Sequence, residues 1–175
     1  EDDGDATAIV VISTTAAHDW YIRRSEEVRR GDIPGLVDAI FKVISEFPDL
    51  MALGIETRGF QRAVAHGLYE EMDRRSAFFA VKELKTESNK NKKWRILRLA
   101  PLMRMGRLHF HGRNLATLQG EQKKLAQQIL RFPRGADDLA DALAYGTDVV
   151  VYPDPEDRQN ERPHGPERHQ DRLKR

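Results

Sequence analysis

The sequence predicts an α/β fold, a mixed β-sheet flanked by helices. Three observations carry this. The run TAIVVISTT at residues 7–15 is continuously apolar and β-branched, the pattern of a strand buried on both faces. A second strand, WYIRRSEEV at residues 20–28, follows the short polar turn AAHD, close enough to pair with the first antiparallel. Helical and strand patterns then alternate through residue 84, which layers helices against the sheet.

The next segment, GDIPGLVDAIFKVISEFPDL, reads as a helix. Asp32 suits the N-cap, where a carboxylate accepts a free backbone N–H, and Pro34 suits the first turn, where its missing N–H costs nothing. Leu36, Ile40, Val43, Ile44 and Phe47 form one apolar stripe, and Pro48 ends it. LMALGIE at residues 50–56 is a short apolar strand, and TRGF turns the chain. A helix from Phe60 to about Arg74 buries Phe60, Val64, Leu68 and Met72, and AFFAVKEL at residues 77–84 is the next strand. TESNKNKK at residues 86–93 reads as a polar, basic loop. WRILRLAPLMRMGRLHFH begins as a helix, breaks near Gly106 and ends as a strand or hairpin in RLHFH. LATLQGEQKKLAQQILRF at residues 115–132 is a helix weakened by Gly120, and PRGADDLADALAYG opens the last helix. There are no internal repeats.

The 175 residues suffice for one domain with a core. That domain is expected over residues 1–150, followed by a charged tail, residues 151–175, with too few apolar groups to order itself. Charged residues make up 33% of the chain but the net charge is only +1, so a basic binding face has to be local. The absence of cysteine removes disulfides, thiol nucleophiles and thiolate zinc sites. The runs AIVVI and VVVY are too short to span a bilayer, and no signal peptide is recognisable. EDDGDATAIVV leads from an acidic loop directly into a strand, as a fragment boundary would.

The chemistry-bearing residues are acids at the rims of core elements. Asp137, Asp138 and Asp141 crowd one helix start. Capping accounts for one of them, most simply Asp137. Asp141 follows the other two by three and four residues and shares their face, where like charges repel unless a cation sits between them. Glu56 ends an apolar strand, where open α/β sheets bind ligands, although an ordinary pairing with Arg58 would also place an acid there. Asp5, near Asp2 and Asp3, precedes the first strand and taken alone is part of an acidic loop. As a set, hard carboxylate oxygens without cysteine suit Mg²⁺ or Mn²⁺. Two such ions about 3.5–4 Å apart are a known clamp for phosphodiester displacement. Lys90, Lys92, Lys93, Arg95 and Arg98 cluster beside Asn89 and Trp94, either as a solvated face or as a grip on a phosphate backbone. The six histidines form no ligand motif, and HExxH, P-loop and GxGxxG patterns are absent.

Four segments in order, GDATAIVVIS, LGIETRGFQ, NKNKKWRILRLAPLMRMGRLHFH and FPRGADDLADALAY, resemble the nuclease domain of the phage terminase large subunit from about Gly4 to Gly146. The resemblance implies a ribonuclease H-like fold and a metal-dependent endonuclease that cuts concatemeric double-stranded viral DNA during genome packaging. It implies Glu56, Asp137 and Asp138 as catalytic residues, and Asp5, Glu56, Asp137, Asp138 and Asp141 as ligands of two Mg²⁺ or Mn²⁺ ions. Lys90, Lys92, Lys93, Arg95, Arg98 and Arg58 are then the DNA-binding set. An ATPase domain in the full-length protein, a portal and a small terminase subunit are the implied partners, in the host cytoplasm and without a membrane. The family's first catalytic Asp lies on a strand before the segment matched by GDATA. This chain holds no such strand, so the sheet is expected to lack a central strand and the site its bridging ligand. The alternatives are another ribonuclease H-like nuclease, acting on junctions or RNA–DNA hybrids, and a non-catalytic docking or DNA-binding module.

Overall fold

The computed structural model describes residues 7–28, 32–56, 60–84 and 89–154, by backbone alone at 60–61 and 89–91. Asp2, Asp3, Asp5, Arg58, the Lys90 side chain and tail residues 155–175 lie outside the described residues. The expected α/β class holds. Strands β1 (Thr7–Thr14) and β2 (Trp20–Val28) pair antiparallel along their length, with an irregularity between Val11 and Ile12. Helix α1 (Ile33–Glu46) starts on the Asp32 cap, whose carboxylate accepts the Gly35 N–H at 2.9 Å. Strand β3 (Leu53–Glu56), helix α2 (Phe60–Arg75) and strand β4 (Val81–Leu84) form a parallel crossover unit, with Leu53 opposite Val81 and Glu56 opposite Leu84.

The basic segment departs from expectation. Asn89–Leu97 is helix α3, so residues 89–93 are helical rather than loop. The short α4 (Ala100–Arg104) leads into β5 (Leu108–His109), which joins β2 in parallel and makes the first sheet mixed. Helix α5 (Gly120–Arg131) starts later than expected. Gly120 has φ +52°, a left-handed conformation that begins a helix after a chain reversal but cannot continue one. Helix α6 (Asp138–Val149) closes the fold. The chain stays attached past it: the Trp20 indole donates to the Tyr152 hydroxyl at 2.8 Å, and the Thr14 hydroxyl to the Val151 carbonyl at 3.0 Å.

The strands form two sheets, β1-β2-β5 and β3-β4. Among the described residues, β1 and β3 each pair on one side only, and a cavity of about 900 Å³ lies between them. Two cores flank it. One gathers Trp20, Ile22, Leu99, Leu125, Leu139 and Leu143; the other gathers Leu36, Val37, Phe41, Ile55, Val64 and Leu68. The β-branched run of β1 serves both, with Ala8, Val10 and Ile12 against the first core and Ile9 against the second. Helix α6 packs on both β1 and β3. Gly146 allows its approach to the first sheet, where a Cβ would stand 2.6 Å from Ile12 Cδ1 and 3.0 Å from the Trp20 ring. No described helix is long and apolar enough to cross a membrane.

Candidate functional site

Glu56, at the carboxyl end of β3, and Asp138 and Asp141, in the first turns of α6, line the same cavity, as do Lys92, Arg95 and Tyr145. Segments some eighty residues apart in sequence are thus brought together at the end of a strand, where an α/β sheet presents ligands.

The local cause is the packing of α3 on α6. Lys92 and Arg95 of α3, and Arg98 in the turn just after it, recur every third residue. Each meets an acid on or next to α6. The Lys92 ammonium lies 2.6 Å from Asp137, 3.5 Å from Asp138 and 3.9 Å from Asp141. Arg95 grips Asp141 through two hydrogen bonds of 2.7 and 2.8 Å, and its guanidinium lies 3.9 Å from the centre of the Tyr145 ring. Arg98 reaches Asp148 at 2.7 Å. Residue numbers rise together along the ladder, so the two helices run in the same direction.

Electrostatics follow from this crowding. Burial pulls the Lys92 ammonium down, but the hydrogen bond to Asp137 and the charges of Asp137, Asp141 and Asp138 outweigh it and raise its pKa. Burial likewise opposes the charge on Arg95, and Asp141, Tyr145 and Glu56 raise it in return.

Asp137 occupies the N-cap position of α6, but its side chain makes no capping hydrogen bond, contrary to its expected role. Its carboxylate is drawn to Lys92 instead. The cap comes from Gln128 of α5, a buried side chain whose carboxamide oxygen accepts the N–H groups of Leu139 at 2.9 Å and Ala140 at 3.1 Å. Sequence reasoning missed Gln128 and Tyr145 altogether, and it assigned Lys92, Arg95 and Arg98 to DNA rather than to the aspartates. The 92/95/98 spacing, read as a helical ridge, was the available signal.

Among the described residues, no group of three or more Asp, Glu or His side chains is arranged to hold a metal ion. As placed, the aspartates do not fit a divalent ion; they surround an ammonium group.

A family model described as "Terminase RNaseH-like domain" matches residues 2–148. The fold is similar to the crystal structure of the large terminase nuclease from thermophilic phage G20c with bound cobalt, at 16% identity and TM-score 0.52, covering 85% of this chain and 83% of that one. At that identity the likeness speaks for the fold alone. No curated protein matches the chain.

Proposed function

The chain belongs to the terminase RNase H-like domain family, and on that premise we propose that it is the nuclease domain of a phage large terminase, cutting concatemeric double-stranded viral DNA during packaging. One observation carries the reading: Glu56, at the carboxyl end of β3, lines a single cavity with Asp138 and Asp141. In this reading Glu56, Asp137 and Asp138 are the catalytic carboxylates, and residues 1–150 are the catalytic unit ahead of the charged tail. The three acids Asp137, Asp138 and Asp141 outnumber the two cations that meet them, Lys92 and Arg95. A phosphodiester approaches such a wall only with more positive charge present. Mg²⁺ or Mn²⁺, as two ions, is the cofactor of choice for hard oxygen donors in a chain without cysteine. The cobalt bound to the G20c nuclease supports a divalent cation.

DNA contact is assigned to the basic side of α3. Lys93 is exposed there. Lys92 and Arg98 reach a phosphate only by leaving their aspartates, and Arg95 is read as the residue that positions Asp141. Lys90 and Arg58 complete the proposed DNA-binding set, and Asp5 an accessory metal-binding position. Portal, small subunit, a linked ATPase and the host cytoplasm belong to the same proposal.

The test is nicking of supercoiled plasmid in Mn²⁺. Glu56→Ala and Asp138→Ala each abolish it; full activity in both variants overturns the assignment. Cleavage of junctions or RNA–DNA hybrids without plasmid cleavage moves the chain to another ribonuclease H-like activity. A non-catalytic docking module is favoured by one observation, the pairing of Asp137, Asp138 and Asp141 with the chain's own cations. Failure to bind millimolar Mn²⁺ in calorimetry supports that module.

A further inference from the structure

The aspartates at the head of α6 already have a cation. A single ammonium, Lys92 Nζ, lies within 3.9 Å of Asp137, Asp138 and Asp141, at 2.6 Å from the nearest. The two basic residues of the site are not equivalent. Arg95 and Asp141 have side chains only 10% and 13% exposed, joined by a planar two-bond fork stacked on Tyr145. That geometry is fixed by packing as well as by charge. Lys92 is 31% exposed, and Asp137 and Asp138 are 28% and 51% exposed. Its contacts with Asp138 and Asp141 are long, and an ammonium is a point charge on a flexible stem with no preferred fork. Partly exposed pairs of this kind are weak and exchangeable.

We propose that Lys92 is a built-in counter-ion of the acid cluster, occupying the place a divalent cation would take. While the ammonium is in place it keeps three mutually repelling carboxylates together at one helix start. A divalent ion gains Asp137 and Asp138 only when Lys92 swings out, and Arg95 meanwhile keeps Asp141 in position. The inference rests on the nuclease reading, because it takes these carboxylates to be metal ligands, but its test reads binding and not cleavage.

Lys92→Met keeps the length of the stem and removes the charge. Calorimetry with MnCl₂ is expected to show Mn²⁺ binding tightened roughly two- to fivefold over wild type, the scale of one partly exposed ion pair. Equal or weaker Mn²⁺ binding in the variant overturns the latch. A second measurement uses the wild-type protein, in case the variant does not fold. Acetic anhydride labelling, read by mass spectrometry with exposed Lys93 as internal standard, is expected to modify Lys92 slowly without metal and faster once Mn²⁺ is added. Labelling of Lys92 that Mn²⁺ leaves unchanged overturns the proposal. The two readings fail separately. Unchanged Mn²⁺ affinity in Lys92→Met with nicking lost in Glu56→Ala removes the latch and keeps the nuclease. Tightened Mn²⁺ binding with no cleavage by any form does the reverse.

Discussion

Gln128 caps a helix that is not its own: its carboxamide oxygen accepts the backbone N–H of Leu139, the second residue of α6, at 2.9 Å. The same oxygen accepts the Ala140 N–H at 3.1 Å. The Gln128 amide in turn donates to Glu27 of β2 at 3.1 Å, and Lys124 pairs with that carboxylate. A chain of polar contacts from β2 through α5 thus sets the height of the α6 N-terminus. It also releases Asp137 from capping, which is why three aspartates are available to one ammonium.

Removing the external cap is therefore expected to cost more than removing the aspartate at the cap position. Gln128→Ala leaves two buried N–H groups unpaired and is expected to lower stability by about 1–3 kcal/mol. Asp137→Ala is expected to cost less than the roughly 1 kcal/mol of an ordinary N-cap loss, since its side chain makes no cap bond. Urea denaturation of both variants decides it; the opposite ranking would return the capping role to Asp137.

Elements built from local signals were legible in the sequence. The β-branched run of β1 announced burial on both faces, and each face feeds a separate core. Asp32 announced the start of α1 because capping needs only the next three residues. Glu56 and the 137/138/141 group were legible as acids at the rims of apolar elements. Helix α3 was legible only from Trp94 onward; its start over residues 89–93 was not, because its ridge toward α6 is charged rather than apolar, and hydrophobic periodicity is blind to it. The Gln128 cap spans eleven residues and depends on how α5 meets α6, which no local pattern encodes. The separation of β1 from β3 is likewise a matter of pairing, not of propensity.

Gly54 is the close-approach point between β3 and α6. A Cβ there would stand 2.4 Å from Val149 Cγ2 and 3.0 Å from Leu84 Cδ1. Alanine in a free strand would be favoured over glycine by about 0.5–1 kcal/mol. Here the contact falls on a β-branched side chain with little rotamer freedom. Gly54→Ala is expected to destabilise by about 1–3 kcal/mol, and Val149→Ala added to it to recover part of the loss. A Gly54→Ala protein that melts at or above the wild-type temperature contradicts the packing described.

Helices α1 and α2 are tied by a charged network whose pH limit has a definite sign. Hydrogen bonds from Arg74 and then Arg75 hold the Glu71 carboxyl down to about 2, from an ordinary 4.5, against a small opposing effect of burial. Arg75 also pairs with Asp38 of α1. A carboxyl depressed in the folded state contributes stability above its unfolded value, and that contribution drains away as pH falls from about 4.5 toward about 2. Melting temperatures across this window are expected to fall less steeply in Glu71→Gln than in wild type. The difference should shrink in high salt, because the network is exposed to solvent. Parallel pH curves for the two proteins would show that the network adds nothing to stability.

The Arg95–Asp141 pair is expected to be the firmest electrostatic contact of the site, because it is bidentate, about nine-tenths buried and stacked on Tyr145. Arg95→Met removes both hydrogen bonds to the Asp141 carboxylate and leaves it the long Lys92 contact at 3.9 Å, and is expected to cost about 2–4 kcal/mol, near the cost of breaking a buried pair. Arg95→Lys keeps the charge but loses the fork and most of the stacking, so it falls between wild type and Met. Pairing Arg95→Met with Asp141→Leu removes both charges and is expected to recover most of the loss, since an apolar pair of similar volume needs no counter-ion. Denaturation of the four proteins at neutral pH makes a double-mutant cycle once Asp141→Leu is added. A coupling near zero would mean that packing on Tyr145, rather than charge, holds Arg95 at the cavity wall.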